Sequence, residues 1–280
     1  MIRTTWQLKD LVRNIAKGNS TKSLFIMRTY VMERFLERLS LSDYREKLIL
    51  KGGILVSAIV GLDTRSTMDI DTTFKGLQLT EESARKASED IINVPLDDGM
   101  SFEVNSVAQI MDESDYPGIR VMMTASLERM RTPFKIDFSA GDVITPMEIE
   151  YSYKLLFEEK TISILAYNLE TILAEKLETL FARGTANSRM RDFYDIFVLG
   201  NMKTFDCAVL KDAFSNTVEK RGSLAIVRSM DLILDEVESS PEMMALWNGY
   251  QRKFEYAADI AWSEIMQGVR NLCDIVRIQE

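Results

Sequence analysis

Short segments in which polar and apolar residues alternate fill the chain between about residues 67 and 165. This period of two is typical of half-buried β-strands. Before this region, over residues 5–16 and 22–39, apolar residues recur at helical spacing, and the same spacing returns from residue 167 to the end. The sequence therefore predicts an α+β fold in which the strands form one domain and the later helices form another.

The composition is that of a globular protein, and it excludes several kinds of catalysis. The 280 residues are 46% hydrophobic and 28% charged, with a net charge of −9. Because there is no histidine, Ser-His and Cys-His nucleophiles and histidine-ligated zinc are excluded, and carboxylates and lysines remain. The negative net charge implies that an anionic substrate binds at a local basic patch or through metal.

The cysteines and the apolar stretches indicate the cellular compartment. Cys207 and Cys273 lie far apart without metal-type spacing, so we expect two buried thiols in a reducing environment. The first thirty residues lack the apolar region of a signal peptide, and no apolar stretch approaches the length of a membrane span. We therefore expect a cytoplasmic protein without a membrane partner.

A glycine pair, Gly52 and Gly53, stands between a short apolar run and a short apolar helix. Glycines let backbone N–H groups approach a phosphate closely, and the N-terminus of the following helix favours an anion. Taken alone, the pair is more typical of a tightly packed turn. Arg65 and Ser66, just before the next strand, are interpreted either as phosphate ligands or as residues that hold the turn itself.

Two aspartates, Asp69 and Asp71, lie on one face of the predicted strand that follows, about 7 Å apart by strand rise. Like charges at this spacing repel unless a cation lies between them. A lone pair of this kind also suits a solvated strand face. In the segment "FKIDFS", Asp137 alternates with apolar residues on a strand that could neighbour the first. Three carboxylates would suit Mg²⁺, which prefers oxygen ligands.

These motifs together resemble the nucleotidyltransferase superfamily and, more closely, the AbiEii/AbiGii toxin-type nucleotidyltransferases. The family's opening motifs, K-G-G and R-x-x-x-D-[IL]-D, are matched by Gly52-Gly53, Arg65-Ser66 and Asp69-Ile70-Asp71, and its third carboxylate by Asp137. The similarity continues over residues 170–199, where a lysine-bearing helix precedes R-D-x-x-D, and spans about residues 47–200.

The resemblance implies a nucleotidyltransferase-like mixed β-sheet domain with flanking helices, for which we expect residues 1–160, and a mainly helical C-terminal domain, residues 161–280. It also implies an NTP substrate and Mg²⁺, or Mn²⁺, as cofactor. The catalytic residues expected from it are Asp69, Asp71, Asp137 and Lys176, of which the three aspartates bind metal. The nucleotide-binding residues are Gly52, Gly53, Arg65, Ser66, Lys176, Asp192 and Asp195.

The residues of the second domain allow more than one interpretation. Lys176 falls within an apolar stripe of its helix, where it either extends along apolar surface to solvent or holds the triphosphate. Asp192 at the start of the next helix either favours the helix dipole or, with Asp195, orients Lys176 or binds the nucleotide. Arg189 and Arg191 are equally compatible with RNA phosphates and with solvated surface. Further basic candidates are Arg183, Lys211, Lys220, Arg221 and Arg228.

The resemblance also implies a biological role. Members act as toxins in type IV toxin–antitoxin or abortive-infection systems, and the MenT relatives add nucleotides to the acceptor ends of tRNA. We therefore expect a tRNA 3′ end as the acceptor and a cognate antitoxin that need not bind directly. The alternatives are a non-catalytic nucleotide-binding regulator and a nucleotidyltransferase that modifies a protein or a small molecule. A glycosyltransferase with a D-x-D motif would leave Gly52-Gly53, Asp137 and Lys176 unexplained.

Overall fold

The computed structural model describes residues 2–111, 117–202 and 204–277, apart from the side chains of Met111 and Pro117. The chain divides into two compact units. Unit 1 consists of Met1–Asp142 and Ile149–Ala166, and unit 2 of Val143–Glu148 and Tyr167–Glu280. Strands lie in unit 1, and unit 2 is helical over its described residues, which confirms the predicted α+β class.

The described part of unit 1 contains a seven-stranded mixed sheet with flanking helices. Its elements are α1 (Thr5–Ala16), α2 (Ser20–Leu41), β1 (Leu48–Lys51), α3 (Gly52–Val60), β2 (Asp69–Phe74), α4 (Glu81–Ile92), β3 (Met100–Met111), β4 (Pro117–Leu127), β5 (Met130–Ala140), β6 (Ile149–Lys154) and β7 (Thr161–Ala166). The strand order is β3-β4-β5-β2-β1-β7-β6. The β2/β5 and β1/β7 pairs are parallel, and the other four neighbouring pairs are antiparallel.

The alternation in the strands separates an apolar face from a polar one. Ile70 on β2, Val121 on β4 and Ile136 on β5 are fully buried, and α2 and α4 pack against the sheet. Residues one position away on each strand, such as Asp71 and Asp137, face the opposite side. The core therefore lies under the two helices, and the opposite face carries the charged residues.

The alternation of polar and apolar residues did not predict one of the strands, β6. Its sequence, IEYSYK, carries only one buried side chain, Tyr153, because the strand lies at the edge of the sheet and pairs with β7 alone. An edge strand that is mostly exposed has little of the apolar alternation from which strands are predicted.

Helix α2 carries a group of buried charges, which we call the α2 charge cluster. Arg34 lies 2.8 Å from Glu37, and Lys160 lies 2.5 Å from the same carboxylate. Arg38 donates two hydrogen bonds to Asp98, at 2.8 and 2.9 Å. Buried ions are tolerated when each is paired and hydrogen-bonded. This cluster joins α2 to the segment before β3 and to the β6–β7 hairpin.

Unit 2 is helical throughout its described elements. These are α5 (Leu169–Arg183), α6 (Met190–Met202), α7 (Cys207–Arg221), α8 (Leu224–Val227), α9 (Met230–Ser239), α10 (Pro241–Lys253) and α11 (Trp262–Val276), with 3-10 turns at Gly184–Ala186 and Glu255–Ala257. The sequence predicts a single helix over 223–238. The structure divides it into α8 and α9, because Ser229 adopts φ −97° and ψ 23°, outside the α-helical region.

The sequence predicts that helix α5 begins after an asparagine cap, Asn168, and ends at Gly184, and the structure has both ends. The Asn168 side chain accepts a hydrogen bond from the Thr171 N–H, and the Gly184 N–H donates to the Leu180 carbonyl. Cys273 is buried as expected, whereas the expectation is wrong for Cys207, the first residue of α7, which is exposed. Among the described residues, no helix combines the length and apolarity that crossing a membrane requires.

Candidate active site

The glycine pair lies where α3 begins, directly against the second aspartate of β2. Gly52 has φ 64°, and a Cβ at this position would lie 2.6 Å from the Asp71 Cγ. A Cβ on Gly53 would lie 2.5 Å from the Thr67 Oγ1. The Gly53 N–H donates a hydrogen bond to the Asp71 Oδ2 at 3.2 Å. Both glycines are therefore required locally, since a larger residue would displace Asp71 or Thr67.

Asp71 lies at the centre of the polar sheet face. It is opposite Lys51 in the β1/β2 register and opposite Asp137 in the β2/β5 register. Burial, then the neighbouring Asp69 and Asp137 carboxylates, raise the pKa of Asp71 to about 7, although the Gly53 N–H and Lys51 act in the other direction. Burial thus contributes most to the shift of the Asp71 pKa, and the two neighbouring carboxylates add to it.

Asp69 lies two residues before Asp71 on β2, on the same polar face of the sheet. Its Oδ1 accepts a hydrogen bond from the Thr67 hydroxyl at 2.8 Å, and its Oδ2 lies 3.1 Å from the Lys135 ammonium. Thr67 is fully buried, so it fixes the rotamer of Asp69 from beneath. Asp69 remains half-buried and therefore partly open to solvent.

Asp137 on β5 is held more firmly than the other two carboxylates. Arg120 on β4, opposite it in the register, donates to Asp137 Oδ1 through Nε and to Oδ2 through Nη2, each at 2.7 Å. Lys135 lies 3.5 Å from the same Oδ2. The bidentate guanidinium fixes the plane of the carboxylate. Hereafter Asp69, Asp71 and Asp137 are called the carboxylate cluster.

Arg65 and Ser66 form the turn before β2, and both are buried. The Arg65 side chain donates to the Ser66 carbonyl at 2.6 Å, and the Arg65 carbonyl accepts from the Ser57 hydroxyl at 2.6 Å. These contacts show that Arg65 holds the turn. The Ser66 hydroxyl is buried and has no hydrogen-bond partner among the described residues.

A second polar group borders the cluster on the side of β1. The Lys51 ammonium lies 2.6 Å from Asp142 Oδ2, and the Ser139 hydroxyl donates to the same oxygen at 2.7 Å. Ser139 lies two residues beyond Asp137, opposite Thr73 in the register. The polar face thus extends from β4 through β5 and β2 to β1.

The carboxylate cluster has the chemistry of a divalent-cation site, although its oxygens are now paired with cationic side chains. Within the described ranges, no three acidic or thiol side chains are arranged so as to hold a metal ion as they stand. The donor set nevertheless fits: three carboxylates from adjacent strands share one face, and Asp69 and Asp137 both act to raise the pKa of Asp71, a repulsion that a cation would relieve. Asp69 and Asp71 fit a cation best, because Arg120 engages both oxygens of Asp137.

In unit 2, Lys176 is paired with both predicted aspartates. Its ammonium lies 2.5 Å from Asp192 Oδ1 and 2.9 Å from Asp195 Oδ2. Asp195 is fully buried, whereas the Lys176 and Asp192 side chains are 13% and 17% exposed. Lys176 therefore does not simply extend along apolar surface to solvent, and its partly exposed charge is oriented by α6.

The basic residues considered for RNA differ in their surroundings. Arg189 and Arg191 are half-buried near the start of α6, and the Arg191 guanidinium lies 5.9 Å from the centre of the Phe254 ring. Arg221 lies 2.5 Å from Glu178 and 3.5 Å from Glu175, so it is part of an ion-pair network on α5. Lys211, Lys220 and Arg228 are exposed, and Arg183 is half-buried.

Sequence reasoning did not identify Arg120 or Lys135 as members of the site. Alternation places Lys135 on the face of Asp137, which was a usable signal. No signal connected Arg120 with Asp137, because that contact depends on the register of β4 against β5.

Comparisons with known proteins find solved structures and one protein family that are similar to this chain. The chain is similar to a candidate nucleotidyltransferase from H. pylori, with 15% identity and a TM-score of 0.48 over 90% of this chain and 96% of that one. It is also similar to JHP933 from Helicobacter pylori, with 14% identity and a TM-score of 0.48 over 89% of this chain and 91% of that one. An antigenic nucleotidyltransferase-like protein from Paracoccidioides brasiliensis matches with 13% identity and a TM-score of 0.39 over 79% of this chain and 92% of that one. Among curated proteins, none matches.

The family assignment rests on a sequence match that covers both units. The model of the nucleotidyl transferase AbiEii toxin family, type IV toxin–antitoxin system, matches residues 34–268. This range includes the glycine pair, the carboxylate cluster and the Lys176 ion pairs. The chain belongs to the AbiEii family of nucleotidyltransferase toxins.

Proposed function

We propose that this nucleotidyltransferase uses Mg²⁺ or Mn²⁺ to transfer a nucleotide from an NTP to the 3′ end of a tRNA. The observation that supports the chemistry most strongly is the register of β2 against β5. It sets Asp71 directly opposite Asp137, with Asp69 on the same face and the pKa of Asp71 raised to about 7. Such a concentration of carboxylates suits a cation that in turn binds phosphate oxygens.

In this proposal Asp69 and Asp71 are the principal metal ligands, and Asp137 is the third carboxylate. A bound divalent cation would neutralise charge on the NTP phosphates and orient them for displacement. Asp137, whose plane Arg120 fixes, is proposed to help bind a second cation and to accept the proton of the attacking hydroxyl. Because Gly52 and Gly53 have no side chain, a phosphate could approach the backbone next to Asp71.

The nucleotide-binding roles of the remaining residues are proposed in the same terms. Lys176, oriented by Asp192 and Asp195, neutralises charge on the triphosphate. Arg65 acts through the turn that it holds, and the Ser66 hydroxyl, which lacks a partner among the described residues, is the contact we assign to the nucleotide. Phosphoryl transfer depends chiefly on positioning and electrostatic stabilisation, so no covalent nucleophile is required.

The net charge and the position of basic residues support a short structured RNA as the acceptor. At a net charge of −9 the whole surface does not attract long RNA, so a limited basic patch should bind a short structured end such as a tRNA acceptor stem. Arg189 and Arg191 are proposed for this patch, with Lys211, Lys220 and Arg228 as exposed additions. Activity on RNA should therefore fall steeply as salt concentration rises.

The test is incubation of the purified protein with each α-labelled NTP and total RNA, with and without Mg²⁺. We expect label at RNA 3′ ends, mainly tRNA, only with the cation. The double variant Arg189→Glu/Arg191→Glu should lose RNA labelling by a larger factor than NTP affinity. Lys9→Glu/Arg13→Glu, with the same charge reversal at exposed positions of α1 outside the proposed patch, shows the effect of net charge alone. Label on protein or on a small molecule in the presence of RNA would refute the acceptor but not the chemistry.

The proposal extends to a role in abortive phage infection, with a cognate antitoxin that need not bind the toxin. Induced expression should arrest growth, and the arrest should require transfer rather than sequestration of a partner. Asp71→Ala at matched abundance should therefore permit growth. Equal toxicity of this variant would show that the arrest does not come from nucleotidyl transfer.

A further inference from the structure

Lys135 bridges two members of the carboxylate cluster. Its ammonium lies 3.1 Å from Asp69 Oδ2 and 3.5 Å from Asp137 Oδ2. The register explains the position: Lys135 is directly opposite Asp69 across the β2/β5 pair and two residues before Asp137 on its own strand. All three side chains therefore point to the same side of the sheet.

The two basic residues of the site differ in how they act. Arg120 binds Asp137 through two parallel hydrogen bonds at 2.7 Å, which is the geometry that orients a carboxylate. The Lys135 ammonium is a compact point charge on a flexible stem, placed between carboxylates of two strands. Arg120 thus fixes one ligand, whereas Lys135 offsets repulsion between two.

We propose that Lys135 is the resident counter-ion of the carboxylate cluster, and that a divalent cation must displace its ammonium from Asp69 to bind. The inference rests on the proposed function, which assigns Asp69, Asp71 and Asp137 to metal. In the metal-free protein Lys135 holds Asp69 and Asp137 together. When a divalent cation binds, its charge of +2 replaces the +1 of the Lys135 ammonium, and that ammonium moves away from Asp69.

The surroundings permit this exchange. The Lys135 side chain is 28% exposed, so its flexible stem can carry the ammonium into solvent at little cost. Asp71 lies directly opposite Asp137 in the β2/β5 register, whereas the ion pairs of Lys135 are with Asp69 and Asp137. A monovalent ammonium therefore leaves part of the repulsion in place, and a divalent cation relieves more of it.

The test is binding of Mn²⁺ without nucleotide, measured by the loss of the electron paramagnetic resonance signal of the aqueous ion. Lys135→Met should bind Mn²⁺ about tenfold more tightly than the unaltered protein, since no competing charge has to leave. Lys135→Gln is the second neutral variant, and Lys135→Arg, which keeps the charge, should stay within about threefold. Arg131→Met, at an exposed position on the same strand, is the matched control for loss of a positive charge.

A second readout does not involve metal. In chelator-treated protein, Lys135→Met should lower the unfolding temperature more than Arg131→Met does, because the carboxylates then repel without a counter-ion. Unchanged or weaker Mn²⁺ binding in both neutral variants would overturn the inference, provided that Asp71→Asn abolishes binding. If Asp71→Asn binds Mn²⁺ as tightly as the unaltered protein, the proposed metal site itself is wrong, and the inference fails with it.

Discussion

The carboxylate cluster and the α2 charge cluster both bury charge in unit 1, but they are compensated differently. On α2, Arg34 and Lys160 pair with Glu37, and Arg38 pairs with Asp98 through two hydrogen bonds. In the carboxylate cluster, Arg120 pairs with Asp137, and Lys135 with Asp69 and Asp137, so that within the described residues Asp71 lacks an ion pair of comparable quality. Glu37 and Asp98 of the first region are each matched with a cation, whereas Asp71 of the second lies between two other carboxylates.

Each region contains an acid with a raised pKa, and the causes separate them. Burial raises the pKa of Glu33 to about 8, with only a small addition from the Glu158 carboxylate, while the Leu156 N–H, Arg34 and the Tyr153 hydroxyl favour its charged form. For Asp71, burial and two neighbouring carboxylates act together. An acid that is merely buried can remain protonated without a ligand. The ionised form of an acid beside other carboxylates is stabilised most by a cation. The different causes of the two raised pKa values therefore indicate that the carboxylate cluster is the region that binds a cation.

The largest expected effect is on catalysis. Asp69→Ala and Asp71→Ala should each reduce nucleotide transfer about 10⁴-fold, or about 5 kcal/mol in the barrier, because each removes a principal ligand of the proposed cation. Asp137→Ala should also abolish transfer. Circular dichroism should show an unchanged fold, since removing mutually repelling carboxylates does not destabilise it. Full activity of either of the first two variants would contradict the assignment.

The next effect is on stability and concerns the matched region. Arg38→Met should lower the free energy of unfolding by about 3–5 kcal/mol, because Asp98 is left buried without its partner. Arg131→Met, which breaks an exposed pair with Glu103, should cost at most about 1 kcal/mol. Urea unfolding measures both. Nucleotide transfer per folded molecule should stay normal in both variants. A loss of transfer comparable to that of Asp71→Ala would show that the α2 charge cluster, too, is needed for transfer.

The pH dependence of stability sharpens the comparison further. An acid whose pKa is raised on folding stabilises the protein below its unfolded value, and this contribution is lost as pH rises through the folded value. For Glu33 the window runs from about 4.5 to about 8. Glu33→Gln should therefore gain about 5 kcal/mol over the unaltered protein between about pH 4 and pH 9. A constant difference between the two proteins across this range would show that Glu33 is ionised normally.

The smallest expected effect concerns two cations of unit 2 that each contact a pair of acids. Lys176 contacts Asp192 and Asp195, and Arg221 contacts Glu175 and Glu178. Replacing either by Met should destabilise the protein, since a buried acid loses a partner. Only Lys176→Met should weaken NTP binding, about tenfold or 1.4 kcal/mol by calorimetry. Equal NTP affinities of the two variants would assign Lys176 to structure alone.

Much of the site was visible in the sequence because it follows local periodicity. The alternation in "MDIDTTF" and "FKIDFS" correctly places the acidic residues opposite the apolar ones, and the spacing of the glycines fits the start of α3. Local patterns do not contain the register between distant strands. The contacts of Lys135 with Asp69 and of Arg120 with Asp137 depend on that register, so they required the structure.

The pairing of Lys176 illustrates the same limit within helices. Its helix and its apolar neighbours were predictable from spacing, and so was the shared face of Asp192 and Asp195. The packing of α5 against α6 was not, and it is this packing that brings both carboxylates to one ammonium. Two earlier interpretations, a lysine extended along apolar surface and an aspartate that only favours the helix dipole, do not explain these contacts.

The most direct test of the central claim, that excess carboxylate charge forms a cation site, is the effect of Mg²⁺ on thermal unfolding at about pH 8. Asp71→Asn and Glu33→Gln each replace a buried acid of raised pKa by its amide, so they are matched. Saturating Mg²⁺ should raise the unfolding temperature of the unaltered protein and of Glu33→Gln by about 5 °C. It should leave that of Asp71→Asn unchanged. An equal rise in Asp71→Asn would contradict the account.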